Sequence, residues 1–553
     1  MNKKALLKKY RGVITALLLF SAMLFFSALF LPENPVWITD NGNKEMIVRN
    51  FMERNTIFFE HAVPANFPCG GFHFQHLANG KISSFHSPYL PVLTAWICKK
   101  ISGFGFTLLP MLFLSGTAWL LCRFPVKKRY LFPAVAAMPL IFYAVQLWEM
   151  VPAAFFVTLA AWFYLKKRIE LAGFAFACGL WMREELYLLG LGVLIVLIIE
   201  REWKNILRFG SGAIIPATLL WISNYILFNN IFGLHGATYW GNNRTDFSAT
   251  AQIQEIIFNF YQHIVRFETL PGWSGIAAGT AVLCAAAAGV TTGYRKFIKF
   301  KTVCAVIFTA ISLILSIALL KEKAFLLTSA KTFGLFLSVP VTGVILLNIR
   351  ALLTDKIKAV RILTGTVLFY TLAIPFLLNS NDIGLTWGAR HFIMILPLAG
   401  VLCVYAFTKN GLFRSGTKWI FITLCVSGII LQLWALNALV KVSKDTENLE
   451  MELLEQKAPV VISDLFFIPE MTPELPFEKV FLEVTESRQL DSALEYLDKS
   501  DTQEVMLILS PDYRKLPNSE LAKLLKRYKA VMKPEERTIG NSINVMYTVL
   551  RKK

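Results

Sequence analysis

Charge is scarce in this 553-residue chain: 17% of its residues are Asp, Glu, Lys or Arg, against about 25% in an average soluble domain. Hydrophobic residues make up 55%, 45 of them Phe, and the mean hydropathy is +0.52. That balance excludes a disordered chain, a collagen and an ordinary soluble enzyme. The eight cysteines form no Cys-x-x-Cys pair and no repeated spacing, which excludes a zinc ribbon and a disulfide framework. Six of them (Cys122, Cys178, Cys284, Cys304, Cys403, Cys425) stand in or beside apolar runs, where Cys acts as a small hydrophobe. Cys69 and Cys98 are the two that could meet outside a membrane, but no spacing requires it. Acids are rarest in the first 440 residues, which hold 39 Lys+Arg and 17 Asp+Glu, whereas residues 441–553 hold 17 and 20. In a membrane protein such a basic excess marks cytoplasmic loops rather than a nucleic-acid surface.

What is present is a series of apolar runs. A helix needs about 20 mostly apolar residues to cross a bilayer core. Such runs fall near 13–31, 106–122, 130–147, 150–165, 170–183, 186–200, 206–228, 273–293, 302–320, 332–349, 360–378, 391–408 and 418–439. Lys3, Lys4, Lys8, Lys9 and Arg11 precede the first run, and no clear small-x-small cleavage site follows it, so it reads as a retained span with its N-terminus inside. Alternation then makes six further loops cytoplasmic: Arg123–Arg129, Lys166–Arg168, Arg201–Arg208, Arg295–Lys301, Arg350–Arg361 and Lys409–Lys418. All six are basic, as orientation by Lys and Arg requires. The sequence predicts a polytopic α-helical membrane protein of about 13 transmembrane helices in the cytoplasmic membrane, its C-terminus outside.

Two domains are expected. Residues 1–440 form the transmembrane domain, and its long first outer loop, 32–105, carries interfacial segments. Gly42–Asn55 mixes Met46, Ile47, Phe51 and Met52 with charged residues, as a helix at the lipid–water boundary does. Pro88–Ser102 is apolar but too short to cross, so it reads as re-entrant or membrane-lying. Residues 441–553 form a small C-terminal exoplasmic α/β domain: Val460–Ser463 and Val505–Leu509 read as buried strands and Ser519–Tyr528 as an amphipathic helix. The tail has no Gly-rich phosphate loop.

Polar residues gather on the predicted outer side. All seven histidines (His61, His73, His76, His86, His235, His263, His391) fall there, while Glu170, Glu200, Glu202 and Asp355 lie inside. Asp40, Glu149, Glu184, Glu185 and Asp382 are the acids nearest the outer boundary. Charge at membrane depth costs about 2.5–3.5 kcal/mol on insertion scales, so each such group needs a partner or a function. By its residues alone Asp40 reads first as part of a solvated Asn-Gly turn, Glu149 as a snorkelling acid, and Arg390 as a helix-end anchor on the less usual side.

The order of these pieces resembles the GT-C superfamily of polytopic glycosyltransferases, in particular bacterial relatives of protein mannosyltransferases and of the lipid A aminoarabinose transferase. Four stretches carry the resemblance: an acid after span one (Asp40); Gly80-Lys-Ile-Ser-Ser-Phe-His-Ser-Pro-Tyr-Leu-Pro91 followed by Gly103; Trp148-Glu149 with Pro152-Ala153, Leu171-Ala-Gly173 and Arg183-Glu-Glu185; and Trp387-Gly-Ala-Arg390 before Pro397. The resemblance covers residues 1–440 and implies a sugar donor linked to polyprenyl phosphate and transfer on the outer face to a lipid, glycan or protein. It implies Asp40 as the general base of an inverting attack, with Glu149 the second catalytic candidate. Tyr89, Trp148 and Trp387, which stand inside these motifs, are the substrate-binding candidates. Relatives of the aminoarabinose transferase carry a Lys directly before the first proline, where this chain has Ser87. The donor phosphate contact therefore passes to Arg390, Lys81, His86 or Arg183, and Arg is favoured because its planar fork binds phosphate oxygens bidentately.

A divalent ion is the one cofactor weighed. His73-x-x-His76 would put two imidazoles on one helical face, with His61 or His86 able to join them. Asn41, where many relatives have a second acid, weakens a metal site. The expected partners are the polyprenyl-phosphate sugar, its acceptor and membrane lipids, with no nucleic acid. The rival classes are a lipid or sugar transporter, which usually shows internal repeats and midplane breaks, and a non-catalytic envelope-assembly scaffold.

Overall fold

A computed structural model describes residues 3–67, 74–77, 80–100, 105–234, 249–265, 273–291, 298–321, 334–377, 387, 390–409, 418–511, 517–539 and 543–553. Cys69, His73, Gly103, His235 and Asp382, the Gly388-Ala389 pair, residues 295–297 of the loop at 295–301 and most of the loop at 409–418 lie outside the described residues. The chain divides into two compact units. One holds Met1–Phe26, Leu108–Lys323 and Ser329–Asn437; the other holds chiefly Ser27–Thr107 and Ala438–Lys553.

The first unit is helical. Each apolar run beyond the first falls on a helix or on a helix that breaks. Leu108–Leu121, Met150–Leu165, Ile169–Leu180, Leu186–Ile199, Trp203–Phe228, Trp273–Val290, Ile298–Lys321 and Lys358–Leu377 are continuous. The run at 130–147 splits into Lys128–Ala136 and Leu140–Ala144 around Pro139, and the run at 332–349 splits at Val339-Pro340 into turns of four residues or fewer. Proline has no N–H to donate and its ring crowds the preceding turn, so both breaks follow from the sequence. Among the described residues six helices are long and apolar enough to cross a membrane: Tyr10–Phe30, Trp203–Phe228, Lys299–Ala318, Lys358–Phe376, Arg390–Lys409 and Lys418–Glu455.

Small residues let the helices approach. A Cβ on Gly173 would stand 1.9 Å from the Phe209 carbonyl oxygen, and one on Gly212 would stand 1.8 Å from that of Glu170. The helices Ile169–Leu180 and Trp203–Phe228 thus meet backbone to backbone, the packing mode that works where no hydrophobic effect draws helices together. At one end of this unit the acids read as cytoplasmic are paired. Glu170 accepts from Arg208 at 2.5 and 2.9 Å, Glu200 accepts from Arg361 at 2.8 and 2.5 Å, and Glu202 pairs with Lys358. Asp355 accepts from the Tyr405 hydroxyl at 3.0 Å.

The second unit combines the first loop with the tail. In its larger sheet β3 (Val460–Ser463) is flanked in parallel by β4 (Val480–Glu483) and β5 (Glu504–Leu509). The long β8 (Ile543–Lys552) runs antiparallel to β5 and also pairs β6 (Tyr528–Ala530) and β7 (Glu535–Ile539). The helices Ser487–Lys499 and Asn518–Arg527 help to bury a core of Val460, Ile462, Leu490, Leu494, Val505, Leu507 and Leu524. The tail is an α/β fold. A small hairpin in the loop pairs β1 (Phe74–His76) with β2 (Ile82–Ser84), Phe74 opposite Ser84.

The helix expected at the lipid boundary departs from that reading. It spans Thr39–Arg54 and buries Asn41, Asn43, Lys44, Glu45 and Asn50 along with Met46, Ile47 and Val48. Its polar groups have protein partners: Asn43 donates to Glu470 at 3.1 Å, and Arg49 bridges Glu45 at 2.7 Å and Glu474 at 2.6 Å. Gly42 makes this possible, since a Cβ there would lie 1.4 Å from the Glu470 carbonyl oxygen. The Pro88–Ser102 segment forms the helix Tyr89–Lys100, which buries Leu90 and Ala95 and leaves Leu93 and Trp96 exposed.

Candidate active site

In the first unit, helix ends bring three of the sequence-predicted site residues, Glu149, Arg183 and Arg390, into one assembly with Glu185 and His391. Glu149 immediately precedes the helix Met150–Leu165, and Arg183 and Glu185 occupy the turn between Ile169–Leu180 and Leu186–Ile199. The Arg183 Nη1 donates to Glu149 Oε1 at 2.6 Å, and its Nη2 pairs with Glu185. Glu185 Oε1 in turn lies 3.4 Å from His391 Nδ1, and the Arg390 Nε donates to His391 Nε2 at 3.2 Å. Glu149 is 4% exposed, Arg183 and Arg390 8% each. Two guanidiniums therefore face two carboxylates with a neutral imidazole between them, a balance that offsets the cost of burying each charge.

Aromatic rings extend this assembly. Trp148 packs edge-on against Tyr143 at 5.4 Å, the Tyr143 hydroxyl donates to the Trp387 carbonyl at 2.5 Å, and Trp387 tilts against Trp434 at 5.4 Å. The Trp387 indole N–H donates to Gln432 at 2.8 Å; Gln432 itself donates to the Ser338 carbonyl at 3.2 Å, at the helix break before Pro340. The proline breaks thus leave backbone carbonyls that a side chain satisfies inside the helical layer, as a dry interior demands. Trp148 and Trp387 are buried to 1% and 2% exposure and serve here as walls.

The remaining predicted residues belong to the second unit. Asp40 is not in a turn: it occupies the first turn of the helix Thr39–Arg54, half-buried, where a carboxylate is favoured by the helix dipole. Its backbone carbonyl accepts from the buried Lys44 ammonium at 3.1 Å. One turn on, Asn43 links this helix to the Gly80–Pro91 stretch, because the Ser84 hydroxyl donates to Asn43 Oδ1 at 2.6 Å and accepts from the His86 N–H at 3.0 Å. Lys81 is exposed with its ammonium 4.6 Å above the Phe58 ring; His86 and Tyr89 are half-buried.

His73 lies outside the described residues, and its proposed partner His76 stands on a strand and not on a helix. His76 ends the strand β1, while His61 Nδ1 lies 2.7 Å from the Val63 carbonyl. Strand geometry turns neighbours to alternate faces, so the spacing that suits one helical face loses its meaning. Among the described residues no group of three His, Cys, Asp or Glu is placed to hold a metal ion.

Sequence reasoning did not single out Tyr143, Gln432, Tyr370 or His263 as site residues. Gln432 had a signal: it is a polar residue deep in an apolar run, Leu431-Gln-Leu-Trp434, and such a group needs a partner. Glu185 was noted as an outer-boundary acid and His391 as an outer-side histidine, but neither was given a role in the site.

Among solved structures, the chain is similar to ArnT from Cupriavidus metallidurans bound to undecaprenyl phosphate, at 10% identity over 96% of this chain and 97% of that one, with a TM-score of 0.48. It is also similar to the apo state of the same protein, at 13% identity over 99% and 98%, with a TM-score of 0.42. No family description and no curated protein matches the sequence.

Proposed function

We propose that the protein is a membrane glycosyltransferase that moves a sugar from a polyprenyl-phosphate donor to an acceptor on the outer face of the cytoplasmic membrane, with inversion. The observation that carries this reading is the buried network Glu149–Arg183–Glu185–His391–Arg390, set at the ends of apolar helices of which Arg390–Lys409 is long enough to span a membrane. A scaffold has no need of two buried guanidiniums there, whereas a lipid-linked phosphate requires cationic donors close to the apolar layer. The four ordered motifs of the GT-C resemblance support the same reading.

In the reaction, the acceptor oxygen or nitrogen attacks the anomeric carbon as the bond from that carbon to the phosphate oxygen breaks. The polyprenyl phosphate leaves with the electron pair. Asp40 takes the proton from the acceptor, which is general base catalysis. Arg390 neutralises the phosphate, and Glu149 and Glu185 hold Arg183 beside it as part of the fixed charge background.

The test is transfer from a polyprenyl-phosphate sugar in liposomes, with donor binding measured in parallel. Asp40→Asn is nearly isosteric and accepts no proton, so transfer should fall by about 10²–10⁴ while donor binding stays. Wild-type turnover in that variant removes Asp40 from the role, and absence of any transfer by the wild-type protein across lipid-linked sugars refutes the enzyme.

A further inference from the structure

The geometry assigns His391 a role of its own: we propose that it is a positioning residue that fixes the Arg390 guanidinium for the donor phosphate. The inference rests on the proposed function, since it presumes that Arg390 meets the phosphate.

The proton on His391 can be placed from its two contacts. Arg390 Nε is always a donor, and it approaches His391 Nε2 at 3.2 Å, so Nε2 must offer its lone pair. The ring proton is then on Nδ1, which faces Glu185 Oε1 at 3.4 Å. Glu185 is itself held by Arg183, and Arg183 by Glu149. A directed chain results: Arg390 donates to His391, His391 to Glu185, and Arg183 to both carboxylates.

Every side of His391 is fixed. Its backbone carbonyl accepts from the buried Tyr370 hydroxyl at 2.8 Å, and its ring stands edge-on to His263 at 5.6 Å. Glu185, Arg390 and His263 face the imidazole, with Arg183 behind Glu185. A guanidinium is planar, so pinning its Nε–H direction fixes the plane in which the Nη groups donate. That contact narrows the rotation of the long Arg side chain, so that less of the bidentate contact with phosphate has to be ordered at each binding event. A protonated His391 would have no lone pair for Arg390 and would add a third cation to the cluster.

Two amides separate the two ends of the imidazole. In His391→Gln the side-chain oxygen reaches the Nε2 position and can accept from Arg390. In His391→Asn the shorter amide can serve Glu185 but stops short of Arg390. Binding of a polyprenyl phosphate is measured in detergent micelles against the phosphate-free polyprenol, for wild type, both variants and Arg390→Ala, with thermal midpoints alongside. The expected result is that Gln retains affinity within a few-fold and Asn loses it on the order of ten- to a hundredfold, as for loss of one hydrogen bond to a charged group. If Asn fails to fold, His391→Met, which fills the volume without a nitrogen, takes its place. Wild-type affinity in the Asn or Met variant, with Arg390→Ala impaired, overturns the inference while leaving the proposed function standing. Equal loss in Gln and Asn also overturns it, since the ring is then only a packing element. If wild type itself does not prefer the phosphate over the polyprenol, the proposed function and the inference fall together.

Discussion

Breaking the Glu149–Arg183 pair probes whether the buried charges act as one unit. Their side chains are 6% and 9% exposed and meet at 2.6 Å, so neither can turn to water when its partner is removed. Removing one member of a buried pair costs about 3–5 kcal/mol, most of it from the charge left behind. Glu149→Gln should cost less, about 2–4 kcal/mol, because Arg183 keeps Glu185. Arg183→Gln strands two carboxylates and should cost the fuller amount, about 3–5 kcal/mol. In the double variant the stranded Glu149 is gone, so its cost should be no greater than that of Arg183→Gln alone. The coupling energy should be at least about 2 kcal/mol. The assay is the thermal midpoint of the four proteins in one detergent at constant lipid, where each single change should lower it by on the order of 5 °C. Additive single effects, with coupling within about 0.5 kcal/mol, would refute the account of a coupled buried network.

In the second unit, Gly42→Ala must displace the helix Thr39–Arg54 from the Glu470 carbonyl that its Cβ would meet at 1.4 Å. The first loop should then become cleavable under limited proteolysis that the wild type resists, and an unchanged digest would contradict that close approach. Glu45 gives a pH dependence: burial pushes its pKa from 4.5 up to about 7 against the opposing pull of Arg49. Between those values the folded unit holds a proton that the unfolded chain has released, so stability should fall as pH rises through the window and level off above about 7. Unfolding midpoints at pH 5 and pH 8 should differ less in Glu45→Gln than in wild type, and an equal slope would remove Glu45 as the cause.

The apolar runs were legible because a span must be apolar along its whole length; the breaks at Pro139 and Pro340 were not read, since Pro133 and Pro216 lie in similar runs without ending their helices. Three residues of the first unit's assembly were also legible, since Glu149, Arg183 and Arg390 are charges placed where lipid would penalise them. The second unit was harder to read. The helix Thr39–Arg54 has the composition of a boundary helix, and the residues that bury it, Glu470 and Glu474, lie more than 400 positions away. Nothing periodic connects the two, so a contact of that separation leaves no local trace. Asp40-Asn41-Gly42 shows the same limit, because the Asn-Gly that favours a turn in isolation here serves a close helix contact. His391 was missed for a different reason: its meaning lies in which nitrogen faces Arg390, and sequence holds no record of that.

The first unit has two polar ends, and their charges do different things. At one end every acid that the sequence places in the cytoplasm meets a neighbouring base or hydroxyl, as in Glu170–Arg208, Glu200–Arg361, Glu202–Lys358 and Asp355–Tyr405. These contacts join helix ends and leave the surrounding Lys and Arg to face the water layer. At the other end Arg183 and Arg390 are enclosed with Glu149, Glu185 and His391. The helix Met150–Leu165 runs between the two, from Glu149 to Lys166, and its 16 residues measure about 24 Å at 1.5 Å each. In the orientation we propose, the six basic loops lie on the cytoplasmic side, where Lys and Arg are retained. The buried cations then face outward, which is where the proposed transfer needs them. Single cysteines at Lys167 and at Glu184 test this directly in sealed cells, with native cysteines replaced. A membrane-impermeant thiol reagent should label the Glu184→Cys protein from outside and spare the Lys167→Cys protein, and a reporter active only outside should work when fused after residue 553. Labelling in the opposite pattern would turn the protein over and place its buried cations on the cytoplasmic face, and transfer on the outer surface could then not be sustained.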